Sequence, residues 1–448
     1  MQNKELILSW KLNIYIPIVY LQLFDMKRLY NFRCYSLMVI VLANLINAQF
    51  SFGQPNLPTN LPDRIILNPT AQPSSAMSVT WRTDTTVKTG FCELQKATSN
   101  RIQNGDSRTL PAKITHIHYV FDNEPTIVAN QFSVVLDQLN PGMKYIYRVG
   151  SGKSWSEWFT FQVPGGANEK FSFLYFGDPQ VGLKSDWPRV VRQAYQKSPD
   201  CSFMLYAGDI INKAGHDIEW EDWFKAGSYL FATVPQVLTP GNHDYNKLDI
   251  DPHWKAQFSQ PTNGPDGIKG TCFFIDYPNL RLISIDSAAD SELEHEDGIA
   301  MKSQKAWLDS VLRTNTKNWV IVTTHLPFYS TKASRDNDLL RKHFQPILEK
   351  YKVDLVLTGH DHSYGRGRAS DNPNINPSVV YVVSVSGSKL YPVESKPWME
   401  HKGENTQLFQ VITVMQNTLI FKSFTADGLL NDDFMLERKG NGKKKFRE

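Results

Sequence analysis

Two hydrophobic rhythms divide this 448-residue chain. Between Pro62 and about Val163, short alternating runs are separated by turns: RIILNP, MSVTW, GFCELQKA, HIHYVFD, QFSVVLDQL, KYIYRVG and EWFTFQV. Period-two alternation buries one face of each strand, and with Trp81 in an early strand it predicts a small all-β sandwich over residues 63–165. Pro164-Gly165-Gly166 reads as a hinge, and residues 49–62, rich in Pro and Asn, as a linker. Beyond the hinge the rhythm changes. Nearly continuous apolar runs (FSFLYFGD, SFMLYAGD, QVLTPGNHD, LRLISID, WVIVTTH, VDLVLTGH) alternate with segments whose apolar residues recur at helical spacing. The best of these are SDWPRVVRQAYQK, EWEDWFKAGSYLF, KSQKAWLDSVLRT and DNDLLRKHFQPILEKY. Strands buried on both faces and interleaved with amphipathic helices predict a layered α/β domain over residues 166–437. Its last part, VVYVVSVSG and LFQVITVMQNTLIFKSFTADG, returns to β-hairpins.

Composition agrees with a globular chain, 41% hydrophobic and 21% charged. The formal charge of +3 conceals its distribution. Residues 1–48 contribute +3 and residues 438–448 contribute +5, so the region between carries about −5. That sign argues against nucleic-acid binding, which relies on neutralising phosphates. The closing KGNGKKKFRE reads as a solvated, frayed tail.

The N-terminus has the order of an export signal: basic Met26-Lys27-Arg28 and Arg33, an apolar run from Tyr35 to Ile46, then the small Ala48. The apolar run is too short to span a bilayer comfortably, and no later stretch is long enough. Residues 1–48 are therefore read as a leader, and the mature protein as secreted or periplasmic without a membrane span. A second apolar patch, Ile14–Phe24, precedes this leader. Translation from a later start than Met1 explains it better than an anchor does. Cys34 falls in the leader; Cys92, Cys201 and Cys272 remain, an odd number that excludes a full disulfide framework.

Five of the buried strands end in polar clusters: Gly177-Asp178-Pro179-Gln180, Gly208-Asp209, Gly241-Asn242-His243-Asp244, Thr324-His325 and Gly359-His360-Asp361-His362. Loops at strand C-termini converge on a common crevice in α/β sheets. Burying so many carboxylates and imidazoles is costly without partners, and divalent cations would supply them. Carboxylate, amide oxygen and imidazole suit Zn, Mn or Fe, and no Cys stands among them.

The order GD…GD…GNHD…H…GHDH resembles the five blocks of the calcineurin-like metallophosphoesterases. With the preceding β-sandwich it resembles the purple acid phosphatases in layout. Leu139-Asn140-Pro141-Gly142-Met143-Lys144-Tyr145-Ile146-Tyr147 is similar to the turn and tyrosine strand of fibronectin type III domains. The resemblance covers roughly residues 60–430 and implies a four-layer α/β/β/α domain behind a fibronectin type III-like sandwich. It also implies two divalent metal ions per chain. Asp209 would bridge them, Asp178 and His362 would complete the first site, and Asn242, His325 and His360 the second. A hydroxide between the metals would attack phosphorus in line, and His243 would stabilise the transition state or protonate the leaving oxygen. Asp244 and Asp361 are candidates to orient imidazoles, or else ordinary turn or capping residues. Two positions depart from the family pattern. Gln180 stands where many members carry a metal-binding His, which puts the affinity of the first site in question. Asn212 stands where purple acid phosphatases carry the tyrosine that colours ferric iron, so a colourless enzyme with divalent metals is expected.

Other residues rank lower. His116 and His118 share one strand face without a third ligand and read as surface histidines. His216, His253 and His295 are candidates to border the crevice, and Arg335, Arg366 and Lys389 to meet substrate phosphate. Trp187, Trp220 and Trp223 read as core or crevice wall. The expected function is an exported acid phosphatase acting on phosphomonoesters. A phosphodiesterase on the same metals is the alternative, separated by whether loops 246–270 and 328–336 close over a second ester arm. A non-catalytic surface-binding module is the reading from another class, opposed by the intact ligand set. The β-sandwich has two open roles, shaping the crevice or mediating a homodimer.

Overall fold

The computed structural model describes residues 57–448 except 101, 103–106, 122–123, 167–168, 290–298 and 440–443. The leader expected at residues 1–48 and the candidate His295 lie outside the described residues. No helix among the described residues is long and apolar enough to cross a membrane.

The first rhythm forms two antiparallel sheets. One orders its strands Asp63–Pro69, Met77–Thr83, Ile127–Leu136, Lys113–Tyr119. The other runs Arg108–Pro111, Phe91–Lys96, Lys144–Ser151, Ser154–Trp155, with Phe159–Gln162 pairing Lys144–Ser151 as well. Their inward positions interdigitate Leu67, Val79, Trp81, Phe132, Tyr147 and Phe161. The Tyr145 hydroxyl accepts the Asn140 N–H at 3.1 Å, which pins the turn before its strand as in fibronectin-like sandwiches.

The second rhythm forms two seven-stranded mixed sheets. In the first, Phe171–Phe176, Met204–Ala207 and Gln236–Thr239 run parallel, and antiparallel strands from Leu408 onward complete it. In the second, Leu280–Ser284, Trp319–Thr323, Leu355–Thr358 and Val380–Val383 are the parallel set. The inner faces meet through Phe173, Tyr175, Leu205, Leu282, Ile321 and Leu357. On one outer face, Phe176, Met204 and Tyr206 pack on Trp187–Lys197, Asp217–Gly227 and Tyr229–Thr233. On the other, Val320, Val322 and Val356 pack on Ile299–Arg313 and Asp338–Lys350. The result is the expected α/β/β/α stack, because both faces of each sheet carry apolar side chains.

Several elements differ from expectation. EWEDWFKAGSYLF is not one helix: it divides at Ser228, whose φ is +39°. The basic end does not fray. Lys444–Arg447 pairs antiparallel with Leu430–Arg438 as an outer strand. Two of its charges meet acidic partners: Lys444 Nζ lies 2.6 Å from Asp354 Oδ1 and Arg447 Nε 2.8 Å from Glu437 Oε2. Phe446 meanwhile packs on Phe434, ring centroids 5.3 Å apart. Counting net charge missed these acidic partners.

The sandwich is joined to the layered domain by buried charge. Arg64, on the first strand, grips Asp217 with both terminal nitrogens, at 2.7 and 2.8 Å, and reaches Glu221 and Gln257. His253 Nε2 lies 3.1 Å from Asp217 as well. Removing Asp217 takes the bidentate partner from a buried guanidinium and leaves it only Glu221 and Gln257, so Asp217→Ala is expected to cost about 3–5 kcal/mol in urea unfolding at neutral pH. Burial alone would raise the Asp217 carboxyl, but His253 and Arg64 hold it below the ordinary carboxylate range. A depressed carboxyl stabilises the fold above its unfolded-state pKa of about 3.9 and loses that contribution as pH falls below it. The difference between wild type and variant should therefore be constant above about pH 5 and shrink below about pH 4. A difference independent of pH in that acid range would contradict the pairing.

Candidate metal centre

The turns after the parallel strands bring the predicted cluster together. Four of its residues adopt left-handed backbone: Asp178 (φ +43°), Asp209 (+49°), His360 (+73°) and His362 (+52°). Non-glycine residues rarely take this conformation, and such strain is held only where the surroundings over-determine it. The glycines in front of them have a steric reason. A Cβ on Gly208 would stand 2.4 Å from His325 Nδ1, and one on Gly359 2.4 Å from Asp178 Oδ2. The Gly208-Asp209 and Gly359-His360 pairings thus reflect close approach of backbone to candidate ligand, whereas a Cβ on Gly177 would meet the Ser384 carbonyl.

Two overlapping groups result. Asp209, His325 and His360 present donor atoms within 4.8 Å of one another, and so do Asp178, Asp209 and His362. Asp209 belongs to both. Asn242 joins the first group, its Oδ1 lying 3.0 Å from His325 Nε2. His360 Nδ1 also lies 3.0 Å from that Nε2. The imidazoles are oriented by backbone. His325 Nδ1–H donates to the Ala207 carbonyl and His362 Nδ1–H to the Lys389 carbonyl, each at 2.9 Å. Because a carbonyl only accepts, Nε2 is in each ring the nitrogen left to face the cluster.

These residues fit cations. Asp178 Oδ1 is wholly buried and has no hydrogen-bond partner. Burial pushes the Asp178 carboxyl well up, the Asp209 charge adding to the rise and His325 opposing it. Burial and the His325 and Arg335 charges hold His360 well below the ordinary imidazole value, and burial with Lys389 brings His362 to about 4. Against burial, Asp209 and Asp178 lift His325 to about 9. Two neutral imidazoles, one proton-holding imidazole and crowded carboxylates thus make a donor set that a divalent ion satisfies in place of that proton.

Gln180 occupies a supporting position. Its Nε2 donates to Asp209 Oδ2 at 2.6 Å, while the His243 backbone N–H donates to Oδ1 at 2.8 Å. Each oxygen of Asp209 thus accepts one N–H. Gln180→Leu keeps the volume but deletes that donor, and partners of this kind are worth 10–100-fold in metal affinity. A loss of about 10-fold is expected in competition with a chelator; unchanged affinity would contradict the assignment.

His243 Nδ1–H donates to the Asn212 backbone carbonyl at 2.6 Å, which leaves Nε2 free. Asn212 therefore acts through its main chain, a role its side-chain identity did not announce. Asp244 and Asp361 do not orient imidazoles. Asp244 accepts the N–H groups of Ile210 and Gly241, tying two motif turns together. Asp361 accepts Ser330, Thr331 and Arg335. Both fasten turns, Asp244 through backbone N–H groups and Asp361 through a hydroxyl, a backbone N–H and a guanidinium.

Among the lower-ranked residues, Arg335 borders the site, held by Asp361 at 2.5 Å and the His360 carbonyl at 3.1 Å. Arg366 does not: it is buried against Asp432 and Glu400. Lys389 supplies its backbone carbonyl. His216 and His253 sit against the β-sandwich instead of the crevice, near Glu124 and Tyr119. His116 and His118 are exposed, and Trp187, Trp220 and Trp223 are core. Cys92, Cys201 and Cys272 are buried thiols. From Asn242 and His360 a cleft of about 650 Å³ opens past Tyr245, Lys247, Ser287 and Arg335.

Comparison with known proteins agrees with this geometry. Residues 171–364 match the family model described as calcineurin-like phosphoesterase, and residues 62–163 match the purple acid phosphatase N-terminal domain. Human acid phosphatase type 7 is 27% identical over 355 residues, covering 74% of this chain and 75% of that protein. The Fe(3+)-Zn(2+) purple acid phosphatase 12 of Arabidopsis thaliana is 27% identical over 256 residues, 53% of this chain and 52% of its own length. Among solved structures, a purple acid phosphatase from yellow lupin (Lupinus luteus) seeds superposes with a TM-score of 0.70. That match has 19% identity and covers 86% of this chain and 75% of the lupin chain. The two domain matches, in this order and around this cluster, place the chain in the calcineurin-like phosphoesterases, hydrolases of phosphoric ester bonds, with the two-domain layout of the purple acid phosphatases.

Proposed function

We propose that this protein is an exported, dinuclear acid phosphatase that hydrolyses phosphomonoesters. The observation that carries the reading is the sharing of Asp209 between two ligand groups, Asp209–His325–His360 and Asp178–Asp209–His362. A single carboxylate common to two sites is how adjacent cations are held close enough to act on one phosphoryl group. Asp178, Asp209 and His362 would hold one ion, and Asp209, Asn242, His325 and His360 the other. When bound, Zn, Mn or Fe ions would supply Lewis-acid charge and a water of lowered pKa. The protein's own contribution is positional. Ala207 and Lys389 fix the imidazole tautomers, Gln180 and the His243 N–H fix the bridge, and His243 Nε2 is left free to meet a phosphoryl or leaving-group oxygen. Asn212 contributes only backbone, which agrees with a colourless centre.

Both loops that distinguish monoesterase from diesterase border the cleft, through Lys247 on one side and Ser334 and Arg335 on the other. Metal analysis of the purified protein, run beside a panel of aryl and alkyl monoesters, diesters and nucleotides, tests the proposal. Two ions per chain and monoester turnover favoured at acid pH are expected. Diester turnover exceeding monoester turnover would give the alternative, and a metal-loaded protein inert to every ester would end the enzymatic reading. Export is tested separately: protein recovered from its source should begin near Gln49.

A further inference from the structure

A loop of the β-sandwich reaches the support of His243. Phe121 and Glu124 follow the strand Lys113–Tyr119 and lie against the segment 212–216, which leads from the Gly208-Asp209 turn into the helix Asp217–Gly227. Glu124 Oε1 is 2.6 Å from His216 Nε2, and Glu219 Oε1 is 2.8 Å from the other ring nitrogen. The Phe121 ring stacks on His216 with centroids 4.8 Å apart and lies 4.6 Å from the Lys213 ammonium. It also lies beside Gly215, where a Cβ would stand in ordinary contact with the ring at 3.4 Å. Asp251 Oδ2 holds the Gly215 N–H at 2.7 Å.

Glu219 connects this grip to the site. Its Oε2 accepts the backbone N–H of Asn212 at 2.6 Å and of Lys213 at 3.0 Å. The Lys213 N–H and the Asn212 C=O belong to one peptide group, and that carbonyl receives His243 Nδ1–H at 2.6 Å. A peptide is planar with its N–H and C=O opposed, so fixing one end fixes the direction of the other. A carboxylate on the N–H also polarises the unit and strengthens acceptance at the carbonyl.

We propose that Glu219 is a positioning residue for His243, and that the β-sandwich, through Phe121 and Glu124, holds Glu219 and His216 in place for it. The proposal rests on the role given to His243 above. It assigns the N-terminal domain a part in turnover that needs no contact with substrate.

A double-mutant cycle tests it. Glu219→Ala should lower kcat by about 10–100-fold, the scale of a small misplacement of a catalytic group, with KM changed less than about twofold. Glu124→Ala, on the partly exposed side of the contact, should act in the same sense at about 3–10-fold. Glu219→Gln, which keeps an acceptor oxygen, should restore most of the loss. In a His243→Ala background each of these losses should collapse to within about twofold, because the group being positioned is gone. Equal losses in both backgrounds, losses that track falling metal content or unfolding temperature, or no loss at all would overturn the proposal. A fully active His243→Ala would instead remove the role of His243, and this inference with it.

Discussion

Asp209→Asn should empty both metal sites together. Each oxygen of Asp209 already accepts an N–H, Oδ1 from the His243 backbone and Oδ2 from Gln180. An amide at this position presents an NH2 to one of those donors whichever way it turns, so the side chain is pushed from its place as well as losing its charge. Because the same residue serves both ligand groups, neither ion has a separate route to retention. Loss of a direct shared ligand should exceed the 10–100-fold that supporting partners are worth, and the two occupancies should fall in parallel across a chelator titration. His362→Ala is the control: it belongs to one group only and should remove mainly one ion. A variant that keeps both ions tightly bound with normal turnover would show that Asp209 is not the bridge.

The parts of this centre that were legible in the sequence are those carried by side-chain identity. Asp178, Asp209, Asn242, His325, His360 and His362 each follow an apolar strand, and strands buried on both faces leave their C-terminal turns as the only place for such residues to gather. The glycines before them were legible as part of the motifs, but the reason for Gly208 and Gly359, that a Cβ there would stand 2.4 Å from His325 or Asp178, is three-dimensional. What the sequence hid is carried by main chain. The carbonyls of Ala207, Lys389 and Asn212 orient three imidazoles, and every residue type has a carbonyl. Asp244 and Asp361 were ambiguous for the converse reason. A carboxylate beside a turn serves an imidazole or a backbone N–H equally well by composition, and here both residues accept backbone N–H groups. The same limit applies to Arg366, whose partner Asp432 is 66 residues away in sequence. The break at Ser228 was invisible because the helical stripe of Trp220, Trp223 and Phe231 continues across it into one cluster.

His243→Ala should separate chemistry from binding. The residue contributes its backbone N–H to Asp209, which alanine retains, so both ions should remain and the unfolding temperature should be unchanged. What disappears is the imidazole whose Nδ1–H is anchored on Asn212 and whose Nε2 is free. Turnover of an aryl phosphate should fall by roughly two to four decades, the range for a positioned acid or charge stabiliser. Leaving-group dependence then distinguishes the two. An alkoxide needs its proton in the transition state far more than a phenolate does, so a true general acid gives a larger loss with alkyl than with aryl esters. An equal loss with both would mean that His243 stabilises charge on the phosphoryl oxygens without transferring a proton. Full activity with either ester would take His243 out of the mechanism, whereas loss of a metal ion in the variant would mean that its side chain supports the bridge and not the reaction.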